Sequence, residues 1–80
     1  MIEVFKNGKS ALYAVIGKFK SKEAILREVA NLKKESLASV KSKFGTKPGY
    51  IVERKGMLEL YEADGEIPKG AQSCVIVRRK

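Results

Sequence analysis

One stretch of this chain has helical periodicity, and it limits what the rest can form. Ser21 stands before it as an N-cap candidate, Glu23 falls in its first turn, and Gly45 and Pro48 follow it. A serine oxygen accepts a free N–H of the first turn, and a carboxylate there meets the positive end of the helix dipole. Glycine at a helix C′ position and proline just beyond are stop signals. The expected helix runs from Lys22 to about Lys43, with Ile25, Leu26, Val29, Leu32, Leu37, Val40 and Phe44 on one apolar stripe. Unbroken, about 22 residues at 1.5 Å each reach ~33 Å, beyond the ~17–27 Å of strands of five to eight residues. Lys33 falls inside the stripe, so it either snorkels or marks a bend at Lys33-Lys34.

The flanking segments alternate with the period of strands. Ile2 to Lys6 and Lys9 to Gly17 read as a hairpin about Asn7-Gly8, a pair that tolerates the positive φ of a type I′ turn. A two-residue loop pairs Lys6 with Lys9, Val4 with Ala11 and Ile2 with Tyr13. Ile2, Val4, Ala11, Tyr13 and Val15 then share one face, and Phe5, Leu12, Ala14 and Ile16 the other. Tyr50–Arg54 and Met57–Ala63 form a second hairpin at Lys55-Gly56, and Ala63–Glu66 is a turn. Ser73–Arg79 is the last strand, and its run Cys74-Val75-Ile76-Val77 suits a central position. The order is ββαβββ, an α+β fold in which one antiparallel-rich sheet carries a single long helix on one face.

The chain has 80 residues, enough for one small domain spanning 1–80. Histidine is absent, which excludes histidine acid–base catalysis and Cys/His metal sites. The single cysteine forms no internal disulfide, the N-terminus shows no apolar signal-peptide core, and the longest apolar run, Ala11 to Ile16, is far too short to span a membrane. The expectation is a cytoplasmic protein away from membranes.

The candidate chemistry is sparse. Glu59, Glu62, Asp64 and Glu66 are the only acidic cluster, but Glu59 and Glu62 point to opposite faces of a strand and the other two lie in a turn. Cys74 has no base to activate it and reads as a small core residue. Gly45-Thr46-Lys47-Pro48-Gly49 lacks the spacing of a phosphate loop and follows a helix rather than preceding one. The expectation is a non-enzymatic protein that needs no metal or cofactor.

Charge is the informative feature. Lys and Arg number 17 against nine Asp and Glu, a net charge of +8. Residues 1–49 hold eleven of those cations and four Glu, so they carry +7. Arg27, Lys34 and Lys41 recur every seven residues and form a ridge on an unbroken helix. Lys18, Lys20 and Lys22 cluster at the strand-to-helix junction, and Arg78 and Arg79 lie near the last residue. These eight residues are the candidate phosphate contacts, with Tyr13, Phe19, Tyr50 and Tyr61 as candidate stacking groups.

The segment Tyr13-Ala14-Val15-Ile16-Gly17-Lys18-Phe19-Lys20-Ser21-Lys22-Glu23-Ala24 resembles a strand–Gly-x-Phe-x-Ser/Thr-x-Glu-x-helix junction found in two families. One is the N-terminal DNA-binding domain of phage-type integrases, where the resemblance implies a three-stranded sheet that reads DNA. The other is the sporulation-related repeat, where it implies peptidoglycan binding. Glycine permits a tight exit, phenylalanine packs under the helix and serine caps it, so the junction is read as a packing device and no family is assigned.

The leading expectation is a non-catalytic nucleic-acid-binding protein or small regulator that contacts phosphates. The alternative is a protein-binding module, an inhibitor or adaptor, that docks an acidic partner. The apolar excess on the first hairpin and the helix overhang make a homodimer the expected assembly.

Overall fold

The helical stretch breaks where Lys33 interrupts its stripe. The protein is seen in a computed structural model that describes residues 2–7, 12–17 and 20–80. Helix α1 spans Lys22–Lys33, and a second helix, α2, spans Leu37–Lys43. The expected single long helix is therefore two, and the bend at Lys33-Lys34 is the alternative that forms. Lys34 turns left-handed (φ 57°, ψ 38°) and its N–H donates to the carbonyls of Ala30 and Asn31. Ser36 then caps α2, its hydroxyl oxygen accepting from the Ser39 N–H at 3.2 Å. At the other end Ser21 caps α1 as expected, accepting from the Ala24 N–H at 3.2 Å. The break removes the overhang of a ~33 Å rod. It folds Val40 and Phe44 back onto the core, where they are 0% and 1% exposed.

The expected helix stop is in the right place but is made differently. Phe44 ends α2 in extended conformation and opens strand β3, Phe44–Arg54. Gly45 and Pro48 are thus strand residues, not a helix cap and a breaker. The Pro48 carbonyl accepts from the Ala63 N–H at 3.1 Å, on the side away from Val75, its partner in the last strand. A strand residue's nitrogen and oxygen point the same way, so the missing proline N–H costs that ladder nothing.

The remaining strands are β1 (Glu3–Asn7), β2 (Leu12–Ile16), β4 (Met57–Glu62) and β5 (Gln72–Arg79). They form a curled antiparallel five-stranded sheet in the order β1-β2-β5-β3-β4. The Cys74–Val77 run is central, as its continuous apolar character requires. Lys55 and Gly56 both have positive φ (51° and 75°) and link β3 to β4, with Arg54 opposite Met57.

The first hairpin forms in a different register from the expected one. Val4 lies opposite Val15, and Asn7 opposite Leu12, so Asn7 belongs to the ladder. Asn7 is therefore not a loop residue as expected; Gly8, with the rest of the connection, residues 8–11, lies outside the described residues. The observed register pairs all of β1 with all of β2, whereas the expected one leaves residues 14–16 unpaired. The shift is four residues, an even number, so each side chain keeps its expected face.

Those faces build two cores. On one, Tyr13, Val15 and Val77 pack with Ile25, Leu26, Val29 and Ala30 of α1, Val40 of α2 and Phe44. On the other, Ala14, Ile16, Cys74, Ile76 and Ile51 form a second cluster joined by Phe5, Leu12 and Leu60. Five strands contribute to that second cluster, although β1 and β4 stand four strand spacings apart, ~19 Å in a flat sheet. Curling brings their side chains inward, so the sheet covers its own second face. Gly49 permits the close approach: a Cβ there would lie 2.4 Å from the Ile76 Cδ1 and 2.9 Å from the Tyr61 carbonyl oxygen. Leu32, expected in the buried stripe, is 54% exposed at the last turn of α1.

Candidate nucleic-acid interface

The break in the helix rearranges the expected basic ridge. Arg27 and Lys41 no longer share one rod; α2 folds back so that both cations meet Glu23. The Glu23 carboxylate lies 3.8 Å from the Arg27 guanidinium and 3.3 Å from the Lys41 ammonium. All three groups are about half exposed, so the cluster ties α1 to α2 only weakly, and it leaves one net positive charge outward. Lys34 sits at the exposed corner between the helices. There Glu35 reaches Lys43 at 3.5 Å through one carboxylate oxygen, while its other oxygen is packed away without a hydrogen-bond partner.

Lys20 and Lys22 are exposed at the start of α1. Lys22 borders a pocket of ≈ 240 Å³ between α1 and the sheet, with Ile25, Thr46, Pro48 and Val75. Lys18 and Phe19, the other expected members of this junction, lie outside the described residues.

Arg78 and Arg79 separate. Successive strand residues point to opposite faces. Arg79 lies on the helical side, its guanidinium 6.0 Å from the centre of the Phe44 ring. Arg78 lies on the other side and pairs with Glu62 at 2.7 Å. The expected second patch is therefore not one patch.

The structure instead groups Arg79 with Lys33, Lys43 and Lys80, three cations outside the expected phosphate contacts. Lys33 snorkels from α1 until its ammonium stands 5.0 Å from the Phe44 ring and 6.0 Å from that of Tyr13. Such placement over ring faces stabilises a cation whose stem covers the core. Ser42, Lys43, Arg79 and Lys80 line a pocket of ≈ 300 Å³ beside it. The Lys80 N–H donates to the Lys43 carbonyl at 2.8 Å, and its ammonium to the Lys41 carbonyl at 3.2 Å. The negative end of α2's dipole favours cations there. The sequence signal was present: Lys33 interrupts the stripe, and period-two alternation assigns Arg79 to the Val77 face.

The aromatics divide as well. Tyr13 is buried edge-on to Phe44, with ring centres 6.2 Å apart. Tyr50 and Tyr61 stack on each other at 5.4 Å on the β3–β4 hairpin, and the Tyr61 hydroxyl donates to Glu59. That hydrogen bond to a carboxylate raises the Tyr61 pKa, with desolvation adding to it. Cys74 is buried, and desolvation pushes its thiol up, away from the thiolate a nucleophile needs. Among the described residues, no group of three or more Cys, Asp or Glu is placed to hold a metal ion, and no helix is long and apolar enough to cross a membrane.

No family model, curated protein or solved structure matches the chain.

Proposed function

We propose that this is a non-catalytic nucleic-acid-binding protein that holds backbone phosphates against its helical layer. The observation that supports the reading is the division of charge between layers. Residues 20–43 hold seven Lys and Arg against three Glu, a net of +4, and Arg79 and Lys80 join them on the same side. Residues 44–71, which include the β3–β4 hairpin, hold four cations against five acids. A polyanion approaching such a molecule meets the helices first.

The contacts assigned to phosphates are Lys20, Lys22, Arg27, Lys34, Lys41 and Arg79, extended by Lys33, Lys43 and Lys80. Lys18 belongs to the same proposal from sequence alone. Arg78 is not among them, because it faces the opposite side and is paired with Glu62. Phosphate contacts release counterions, so affinity falls with salt by about 0.9 log units per contact for each log unit of salt. Five contacts correspond to a loss of about 500-fold between 50 and 200 mM salt. Mobility-shift titration of duplex DNA and of single-stranded RNA at those two concentrations measures the slope. A flat salt response, or binding unchanged by Arg27→Glu with Lys34→Glu, refutes the proposal.

The alternative of an acidic protein partner has lost one of its supports. Among the described residues, the apolar side chains of the first hairpin, which favoured it, are buried or partly buried within the chain. Val40 and Phe44 are also buried within the chain and Leu37 packs partly against the same core, so these three residues no longer supply a motive for a homodimer.

A further inference from the structure

We propose that β4 is a docking edge for a second copy of this chain, paired antiparallel to itself. This surface lies outside the basic helical layer and goes beyond the functional reading. β4 ends the sheet, and among the described residues no backbone hydrogen bond leaves its outer side. An edge of this kind is a template for another strand, and natural edges are blunted by charged side chains, above all lysine, by proline or by a bulge. β4 has no proline, lysine or bulge, and its only charges are Glu59 and Glu62: its sequence is Met-Leu-Glu-Leu-Tyr-Glu, and it pairs with β3 through six consecutive residues. It also keeps Met57 69%, Leu58 46% and Tyr61 39% exposed.

Charge complementarity selects the occupant. Arg54 and Lys55 stand at the hairpin tip, at one end of β4, and Asp64 and Glu66 at the other, beyond Glu62, which is already paired with Arg78. An antiparallel copy brings each basic tip to the other's acidic turn, whereas a parallel copy sets like charges together. Centred on Leu60, the pairing sets Leu60 against Leu60 of the second copy, Leu58 against Glu62 and Glu59 against Tyr61. A two-fold axis normal to the sheet keeps both helical layers on one side, so the dimer presents two basic faces to one polyanion.

Sedimentation equilibrium from about 10 μM to about 1 mM tests this, the range in which a small interface associates. The mass should rise from 8.9 kDa toward twice that value. Leu58→Lys should hold it at the monomer, with circular dichroism unchanged. Arg54→Glu with Lys55→Glu should weaken self-association about tenfold or more, as should Asp64→Lys with Glu66→Lys. Mixing those two charge-reversed proteins should restore the complex. A single 8.9 kDa species of the unaltered chain at every concentration overturns the proposal. So does a dimer indifferent to Leu58→Lys and to the charge reversals. None of these changes touches the phosphate contacts, so loss of pairing and loss of nucleic-acid binding are separate results.

Discussion

Replacing Gly49 by alanine adds one methyl group at the tightest point of the curled sheet. The new Cβ would fall 2.4 Å from the Ile76 Cδ1, 2.6 Å from its Cγ1 and 2.9 Å from the Tyr61 carbonyl oxygen. Ile76 is 1% exposed, so its side chain has little room to rotate away, and leaving its rotamer costs about 0.5–1.5 kcal/mol. The Tyr61 carbonyl is backbone and moves only with β4. Overpacking of this kind costs about 1–3 kcal/mol, and the two clashes together place the substitution near the upper end, at about 2–3 kcal/mol. For a domain of this size that lowers Tm by about 10–20 °C. Thermal and urea unfolding, with an unchanged m-value, supply the measurement. Ile76→Val removes the nearer clashing atom. The double variant should therefore be less destabilised than the sum of the singles by about 1 kcal/mol. A Gly49→Ala loss below about 0.5 kcal/mol, or strict additivity with Ile76→Val, refutes the account of the curl.

Lys34→Gly should stabilise the protein by about 0.5 kcal/mol, because Lys34 is left-handed and glycine carries no penalty there beyond its chain entropy; denaturant midpoints would show it. Val40→Ala should cost about 2 kcal/mol and Leu32→Ala under about 0.5, since the two share a sequence stripe but only Val40 is buried. Burial raises the Cys74 pKa, so the folded chain holds this proton more tightly than the unfolded one. That contribution is fully present below the ordinary thiol value of about 8.5 and is lost as pH rises through the raised one, so stability should decline above about pH 9 and Cys74→Ala should flatten the slope. A thiol reagent should accordingly label native Cys74 far more slowly than the unfolded chain.

Much of the fold was legible because its determinants are local. Ser21 caps, Lys55-Gly56 turns and the Cys74–Val77 run sits centrally, as their side chains dictate. The first hairpin's facing survived a wrong register because parity, not loop length, decides which side chains are buried. What escaped was decided by tertiary packing. Whether Lys33-Lys34 bends depends on Val40 and Phe44 finding the sheet, and no local propensity specifies that. Gly45 and Pro48 carry a stop signature, yet their conformation follows from pairing with β5. The site was less legible than the fold. Arg27 and Lys41 converge on Glu23 only because α2 reverses, whereas the separation of Arg78 from Arg79 follows from strand alternation alone.

If the helical layer rather than the sheet edge holds phosphates, the contact maps onto a defined set of amides. Amide chemical-shift mapping of the ¹⁵N-labelled protein titrated with a short duplex and with a single strand locates that contact directly. Shifts should concentrate at Lys20–Arg27, Lys33-Lys34, Lys41–Lys43 and Arg79-Lys80, diminishing as salt is raised. Shifts confined to the β3–β4 hairpin, or none at low salt with either nucleic acid, contradict it.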